Sequence, residues 1–324
     1  MISNISALLT KSAFAATAMM VLGIMPTATA EKYASIVVDL ERDEVLHARH
    51  ADEPRYPASL TKVMTLYMLF DAMKAGEVRL HEQLPVSRTA ASQPPSSLRL
   101  RAGSTITTKQ AINALVTKSA NDVAVVVAER LGGSEARFAT LMTAKAQAMG
   151  MESTTFKNAS GLPNSQQLST ARDMAVLAER LLDDHADYYG YFSNKKFSWG
   201  RATYKNHNRL IGDVEGVDGI KTGYTRASGF NLMTSAKRRG RRVVAIMFGG
   251  STARSRDQHV TDLVEAAYKS FEPTETTPEV QLRMSFSQIQ PPVDPNGAAM
   301  PVLNGKVFGS NIVVAEGDEG SKSN

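Results

Sequence analysis

The sequence of 324 residues contains no cysteine and only six histidines. Without cysteine, the protein has no disulfide bond, no catalytic thiolate and no cysteine-ligated metal. The histidines are scattered, and none forms the His-x-x-x-His pair that is typical of zinc hydrolases. We therefore expect neither a metal nor another cofactor.

A strong net charge is also missing. The formal charge of +5 and the isoelectric point near 9.3 are mild, and most lysines and arginines are scattered along the chain. One basic cluster, at residues 237–242, fits a solvated hairpin tip better than a patch that binds nucleic acid. The composition therefore gives no reason to expect a nucleic-acid partner.

The first 30 residues have the features of a secretory signal peptide. Lys11 provides the positive charge, Ser12 to Met25 form a short apolar run, and Ala28-Thr29-Ala30 is a small-residue cleavage site. The apolar run is too short for a comfortable membrane span, and no later segment is a better candidate. We expect an exported protein in the periplasm, the cell envelope or the medium, with a mature chain that begins at Glu31 and has no integral membrane span.

Beyond the signal, the sequence predicts one α+β domain over residues 31–271. A predicted β-hairpin comes first and several helices follow. Strand-like runs then appear at residues 216–224, 229–236 and 243–248, before a last helix from about 254 to 271. Because strands occur near both ends of this region, we expect one antiparallel sheet built from both ends and flanked by helices, with an all-helical subdomain.

Two further stretches have the composition of loops. No helix or strand is predicted between Gly76 and Gly103, where proline and serine are frequent. Residues 272–324 are rich in proline and are predicted to form a mostly disordered tail. Within this tail, one strand is indicated by four alternating apolar residues: Val280, Leu282, Met284 and Phe286.

The stretch from Tyr56 to Met64 contains the leading candidate for a nucleophile. It predicts a loop closed by Pro57 and then a buried helix, with Ser59 at its start and Lys62 three residues later. Positions i and i+3 share one helix face, with roughly 5–6 Å between their Cβ atoms, so the hydroxyl and the amine can touch as nucleophile and base. A helix N-terminus also offers free N–H donors, and its positive field together with burial favours a neutral lysine.

Taken alone, Ser-x-x-Lys is a weak pattern. It occurs again at Ser193 and Lys196, and a serine at a helix start is more often an N-cap beside a solvated lysine. The catalytic interpretation becomes stronger because two further motifs are present, each once: Ser119-Ala120-Asn121 between two predicted helices, and Lys221-Thr222-Gly223 on a predicted strand.

In this order, Ser-x-x-Lys, Ser-x-Asn and Lys-Thr-Gly form the motif set of penicillin-binding proteins and class A β-lactamases. Over about residues 31–271 the chain resembles the serine D-alanyl-D-alanine carboxypeptidases, the low-molecular-mass penicillin-binding proteins. The segments 158–162 and 218–225 also look like segments of this family. The resemblance implies a penicillin-binding-protein/β-lactamase-like transpeptidase fold, a peptidoglycan stem peptide ending in D-Ala–D-Ala as substrate, and β-lactams as covalent inhibitors.

The resemblance also implies catalytic roles. Ser59 would attack the peptide carbonyl, Lys62 would take its proton, and Ser119 would relay a proton to the leaving nitrogen. The backbone N–H groups of Ser59 and Tyr224 would form the oxyanion hole. The spacing does not settle whether Lys62, Ser119 or Lys221 is the dominant base.

Substrate binding is implied for the rest of the motifs. The Asn121 side chain offers both a donor and an acceptor to the backbone of the substrate. Lys221 and Thr222 suit the free C-terminal carboxylate of an exopeptidase substrate, and Gly223 permits a close backbone approach. His207, ahead of the third motif, is left outside the predicted site, because a lone histidine is more often structural.

The sequence departs from the family pattern in two respects. Ala120 stands in place of the aspartate in the middle of the second motif, a change that removes neither the serine hydroxyl nor the asparagine amide. A second β-domain and a C-terminal amphipathic anchor, which many relatives carry, are not evident after Phe271, so a membrane anchor is not expected.

Three alternative functions remain open. A D,D-endopeptidase that cuts peptide crosslinks would share all three motifs, and a wall-binding module without catalysis would keep the fold. A serine β-lactamase would need a glutamate that activates water, and no Glu-x-x-x-Asn segment occurs between Asn121 and Lys221. We therefore expect slow release of bound penicillin.

Overall fold

The structure is a computed structural model that describes residues 32–272, together with Leu282 and Phe286. The predicted signal peptide and most of the predicted tail lie outside the described residues. The strands of the described region are β1 (Ala34–Asp39), β2 (Glu44–Arg49), β3 (Gln83–Pro85), β4 (Thr105–Thr107), β5 (Lys196–Trp199), β6 (Ala202–Lys205), β7 (Val217–Thr225), β8 (Gly229–Arg238) and β9 (Arg241–Gly250). Its α-helices are α1 (Thr61–Lys74), α2 (Arg88–Ala91), α3 (Thr108–Asn113), α4 (Asn121–Gly132), α5 (Glu135–Ala148), α6 (Ala171–Asp184), α7 (Ala186–Tyr189) and α8 (Ala253–Ser270).

Five strands form the main sheet in the order β2-β1-β9-β8-β7, and every neighbouring pair is antiparallel. The predicted sheet from both ends of the domain is thus confirmed. Along β9, every second residue from Val244 to Phe248 packs on the main helical cluster, and the residues between them, from Val243 to Met247, pack with α8. Burial on both faces explains why β9 reads as a continuous apolar run, since alternate side chains of a strand point to opposite faces.

The helix that carries Lys62 lies inside the domain. Ten of the 14 residues of α1 are buried. The helix contacts α4, α5 and α6, so it is enclosed by other helices, as its nearly uniform apolar sequence predicts. Among the described residues, no helix combines the length and the apolar character that crossing a membrane requires.

The segment between Gly76 and Gly103 contains two short elements that the sequence did not predict. Strand β3 has only three residues and pairs with β4, with Leu84 opposite Ile106. Helix α2 is a single turn, capped by the Ser87 hydroxyl. Elements this short show no measurable hydrophobic period, and β3 depends on a partner about twenty residues away in sequence.

The helix that begins at Thr108, ahead of the second motif, changes character halfway. The α-helical part ends at Asn113, and a π-helical turn, Ala114–Lys118, follows. π-Helical turns are rare in proteins, and those that occur often lie at functional sites. They have no simple sequence signature. Here the π-turn leads directly into Ser119 of the second motif.

The strand expected around Leu282 is wrong at the two described positions. Leu282 and Phe286 are helical, and both side chains are buried among residues of β1, β9 and α8. Residues four apart share one face of a helix, so the same apolar spacing also suits a helix. The Phe286 ring stacks on His47 of β2, with 5.3 Å between the ring centroids. Part of the predicted tail is therefore part of the core.

We predict that Phe286→Ala lowers the free energy of unfolding by about 3–5 kcal/mol, because it removes a fully buried ring. Chemical denaturation of the full chain measures this loss. Penicillin acylation under native conditions should stay close to the wild-type rate, since β2 lies at the opposite edge of the sheet from β7. An unchanged unfolding midpoint would show that this segment does not stabilise the domain.

Candidate active site

The predicted pair of Ser59 and Lys62 is brought together at the start of α1. Ser59 lies in a 3₁₀ turn, Ala58–Leu60, that immediately precedes the helix, and not in the helix itself. The Nζ atom of Lys62 is 3.2 Å from the Oγ atom of Ser59. Lys62 is fully buried, whereas Ser59 is half-buried and lines a cleft. In its neutral form the lysine can accept the serine proton across this contact.

Two more acceptors surround the lysine. The Asn121 Oδ1 atom lies 2.8 Å from Lys62 Nζ, and the Ser160 carbonyl oxygen also accepts a hydrogen bond from it. Both acceptors, like the serine hydroxyl, are uncharged. The amine is therefore oriented by three hydrogen bonds to neutral groups and is not held as an ion pair.

The electrostatics of the site favour the neutral amine. Burial lowers the pKa of Lys62 well below its usual range, and the positive charge of Lys221 lowers it further, while Asp122 and Glu135 oppose the shift. The pKa of Lys221 is itself lowered to about 7, first by burial and then by the neighbouring Arg256. The positive charge of Lys221 thus adds to burial in destabilising the charged form of Lys62.

The second motif follows the π-turn. Ser119 has a left-handed backbone with φ 58°, is 4% exposed and lines the cleft. Within the described region, its hydroxyl has no hydrogen-bond partner. Asn121 donates from Nδ2 to the Pro94 carbonyl and accepts from Lys62, so its amide is fixed in orientation. A buried hydroxyl without a partner, beside a fixed amide, is suited to contacting a molecule that enters the cleft.

The third motif, on β7, packs against the turn that holds Ser59. A Cβ atom on Gly223 would lie 3.1 Å from the backbone nitrogen of Ser59, so glycine permits this close approach. Thr222 lines the cleft, while Lys221 is buried behind it and donates to the Thr222 carbonyl. Tyr224 is 56% exposed, and its ring contacts Phe230.

Asn231 on β8 is a structural residue of the site that the sequence did not predict. Its buried side chain donates from Nδ2 to the carbonyls of Tyr56 and Pro57 and accepts from the backbone N–H of Gly249. These bonds fix the loop before Ser59 to the sheet. An asparagine within an otherwise largely apolar strand was the available sequence signal.

Arg256 on α8 was also missed. It is 3% exposed, donates from Nη1 to the Asn231 carbonyl and forms an ion pair with Asp257. Its side chain still contributes to the lining of the cleft. No motif marks this residue, because it reaches the cleft only when α8 packs on the sheet.

The cleft has a volume of about 730 Å³ and contains residues of all three motifs. Its lining is positively charged: no aspartate or glutamate of the described chain takes part, whereas four cationic residues do, namely Lys205, Arg209, Arg226 and Arg256. His207, which is not among the predicted site residues, also lines the cleft, but burial lowers its pKa to about 4, so its ring is neutral near pH 7. An enclosed positive field of this kind attracts anionic groups.

The repeated Ser-x-x-Lys pattern at Ser193 does not reproduce this arrangement. The Ser193 hydroxyl donates to the Gly190 carbonyl within a 3₁₀ turn, and Lys196 is exposed on the short strand β5. This copy of the pattern therefore has a structural serine and a solvated lysine.

The segment Asn158–Leu162 closes one side of the cleft. The Asn158 Oδ1 atom accepts from the backbone N–H groups of Ser160 and Gly161, at 3.2 and 2.7 Å. Gly161 has φ +80°, and a Cβ atom there would lie 1.8 Å from the Ala58 carbonyl oxygen. Only glycine lets this segment approach the nucleophile's turn while the Ser160 carbonyl reaches Lys62.

The antiparallel sheet, the helical cluster on one of its faces and the serine–lysine pair at the junction together define a penicillin-binding-protein fold. A structure of the D-alanyl-D-alanine carboxypeptidase DacD from Francisella tularensis is similar, with a TM-score of 0.70 and 28% identity over 73% of this chain and 70% of that one. Penicillin-binding protein D2 from Listeria monocytogenes, solved in cefotaxime- and ampicillin-bound forms, is 31% identical. In the cefotaxime-bound form it superimposes with a TM-score of 0.67 over 73% of this chain and 96% of that one.

Residues 23–252 match the profile of the Peptidase S11 family, described as D-alanyl-D-alanine carboxypeptidase, and the chain belongs to this family. Curated relatives include DacF from Bacillus subtilis, 34% identical over 251 residues and 75% of this chain, and DacA from Escherichia coli K12, 34% identical over 255 residues and 76% of this chain. In both comparisons the match spans 63% of the relative's length.

We predict that Gly161→Ala lowers the rate of acylation by a fluorescent penicillin ~100-fold, because the added methyl group displaces the segment that carries the Ser160 carbonyl. Stopped-flow fluorescence measures this rate, and circular dichroism checks the fold.

Gly150→Ala is the matched control. Gly150 also has a positive φ, +88°, but a Cβ atom there would meet nothing within 4 Å. This variant should acylate at nearly the wild-type rate. Equal rates for Gly161→Ala and wild type would contradict the proposed role of the segment.

Proposed function

We propose that this chain is a serine D,D-carboxypeptidase that removes the terminal D-alanine from peptidoglycan stem peptides ending in D-Ala–D-Ala. The observation that carries the proposal is the contact between Ser59 Oγ and a buried Lys62 Nζ at the edge of a positively charged cleft. Membership of the Peptidase S11 family and the printed names of the curated relatives support the same activity.

In the acylation step, Lys62 takes the proton from the Ser59 hydroxyl while the oxygen attacks the carbonyl carbon of the penultimate D-alanine. The C–N bond then breaks, and the last D-alanine leaves as an amine after receiving the proton that Lys62 took from Ser59. We assign the relay of this proton to Ser119, and the assignment is supported by a hydroxyl that lines the cleft and has no hydrogen-bond partner among the described residues. The remaining peptide is left as an ester on Ser59.

The tetrahedral intermediates need donors for a negatively charged oxygen. We assign this role to the backbone N–H groups of Ser59 and Tyr224, as the family resemblance implies. The packing of β7 on the 3₁₀ turn that carries Ser59 supports the assignment. One such donor is typically worth 10²–10³ in rate. Water then hydrolyses the ester and regenerates the serine.

The positive charge of the cleft supports a preference for substrates with a free C-terminus. Thr222 and Arg256 line the cleft, and Lys221 lies buried behind Thr222. A terminal carboxylate would be stabilised by these groups, whereas an internal peptide bond carries no such charge. This arrangement favours the carboxypeptidase over an endopeptidase acting on crosslinks.

β-Lactams are expected to acylate the same serine, as their strained amide occupies the position of the D-Ala–D-Ala bond. One relative, penicillin-binding protein D2 from Listeria monocytogenes, has been solved with cefotaxime and with ampicillin bound, which supports this expectation. No carboxylate of the described residues lines the cleft to activate water in the manner of a class A β-lactamase. The penicilloyl ester should therefore be long-lived.

We further propose that the protein is exported, on the basis of the signal-like features of residues 1–30. Its substrate, a polymer of the cell wall, lies outside the cytoplasmic membrane. Export therefore places the enzyme and the stem peptides in one compartment.

We predict that Ser59→Ala abolishes both release of D-alanine from a pentapeptide and formation of a penicilloyl adduct, because the acyl acceptor is lost. A D-alanine assay and intact-protein mass spectrometry measure the two effects. In the wild type, the adduct should map to Ser59 and persist after free penicillin is removed.

Ser193→Ala is the control, since Ser193 belongs to the other Ser-x-x-Lys copy, and this variant should match the wild type. D-alanine release by Ser59→Ala at the wild-type rate would contradict the covalent mechanism. Rapid turnover of benzylpenicillin without an adduct would instead indicate a β-lactamase. Cleavage of crosslinked dimers as fast as of pentapeptides would indicate an endopeptidase.

We predict a bell-shaped pH dependence of kcat/KM for the pentapeptide. Activity should rise with pH as Lys62, whose pKa is lowered by burial, loses its proton and becomes a base. It should fall again as the pH passes about 7, where Lys221 loses the charge that binds the carboxylate. Steady-state kinetics across the neutral range give both limbs.

Lys221→Arg provides the check on the alkaline limb. A guanidinium keeps its proton at any pH of the assay, so the residual activity of this variant should lack that limb. An alkaline limb that persists in Lys221→Arg would assign it to another group.

A further inference from the structure

Glu135 lies outside all three motifs and yet contacts the segment that holds the catalytic lysine. It is the first residue of α5, after the N-cap Ser134, and is half-buried. Its Oε1 atom accepts a hydrogen bond of 3.0 Å from the backbone N–H of Ala159. The helix dipole stabilises a negative charge at a helix N-terminus, so it favours the carboxylate form of Glu135 that accepts this hydrogen bond.

Ala159 is connected to Lys62 through the carbonyl of the next residue, Ser160, and through helix α1. The Ala159 carbonyl accepts from the Thr65 hydroxyl of α1 at 2.7 Å, and the next carbonyl, that of Ser160, accepts from Lys62 Nζ. Ala159 is thus held on one side by α5 and on the other by α1. If the bond to Glu135 is lost, the Ser160 carbonyl is held less firmly in front of the amine.

Charge provides a second connection. The charged groups that face Lys62 are Lys221 from β7, which repels its ammonium form, and Asp122 from α4 and Glu135 from α5, which stabilise it. His207, ahead of β7, also interacts with Lys62, but burial lowers its pKa to about 4, so its ring is neutral near pH 7. The Asp122 carboxylate is already engaged by the backbone N–H groups of Leu98 and Leu100. Glu135 is thus one of two negative charges that act on the amine, and it makes no direct contact with the reacting atoms.

The pKa of Glu135 is subject to opposing effects. Burial raises the pKa of its carboxyl group, and nearby Glu129 adds to the increase, whereas the Ala159 hydrogen bond and the charge of Lys62 oppose it. The charge on Glu135 and the charge on Lys62 therefore stabilise each other. This coupling matters at the moment when Lys62 accepts the serine proton and becomes a cation.

We propose that Glu135 is a positioning residue of the Ser59–Lys62 centre: its carboxylate tethers the Asn158–Leu162 segment so that the Ser160 carbonyl orients Lys62, and its negative charge stabilises the ammonium ion formed during acylation. This inference rests on the proposed function. The two effects are separable, because glutamine keeps an oxygen acceptor for Ala159 but carries no charge.

For Glu135→Gln, the loss of charge should lower the pKa of Lys62. The acid limb of the rate of Ser59 acylation by a fluorescent penicillin should then move to lower pH by roughly 0.5–1 unit, less than for a direct ion pair. The plateau should fall ~3-fold, since Lys62 becomes a weaker base. A residue that only supports the fold would change the plateau and leave the limb in place.

For Glu135→Ala, the acid limb should shift in the same way, and the plateau should fall ~10-fold or more, because the Ala159 N–H loses its acceptor. Glu152→Gln is the matched control. It neutralises an exposed carboxylate in the turn after α5 and should leave the pH profile unchanged.

The outcomes separate cleanly. A Glu135→Gln profile that superimposes on the wild-type profile overturns the electrostatic role. Equal plateaus for Glu135→Gln and Glu135→Ala overturn the tether. A wild-type protein that penicillin does not acylate at all refutes the proposed function instead, and thermal denaturation of each variant verifies that it is folded.

Discussion

The structure depends on a lysine amine that is buried without a counter-ion in contact. Lys62 is fully buried, its three hydrogen-bond acceptors are neutral, and Lys221 adds repulsion from the facing strand. A charged ammonium is costly in such surroundings, whereas a neutral amine is not. Burial, together with the repulsion from Lys221, thus favours the neutral form of Lys62, which is able to accept the proton of Ser59. The free energy needed to bury this amine is offset by the apolar side chains that pack around α1.

The rest of the fold maintains that environment. The main sheet joins strands from both ends of the domain, so β7 is placed beside the turn that carries Ser59. Asn231 ties the loop before the serine to β8, and Gly161 and Gly223 let two backbones approach the nucleophile closely. Each of these contacts joins segments distant in sequence. The geometry of the site is therefore maintained only while the sheet and the helices stay packed together.

Much of this could be predicted because the decisive patterns are local. The i, i+3 spacing of Ser59 and Lys62, and the apolar run after them, predict a reactive pair at the start of a buried helix. Other features could not be predicted. Helix α2 is too short for a hydrophobic period, the π-turn has no sequence signature, and the spacing of Leu282 and Phe286 suits a helix as well as a strand.

By itself, the sequence determined the chemical inventory and its local order: three motifs, no cysteine, and the helices and strands on which the motifs lie. Only the tertiary structure decided which groups share the cleft. Arg256 and His207 line it, and Glu135 is connected to Lys62 through the segment 158–162. No sequence motif marks these three residues. The physical reason is that burial, charge and hydrogen bonding act through space, whereas a sequence pattern records only neighbours along the chain.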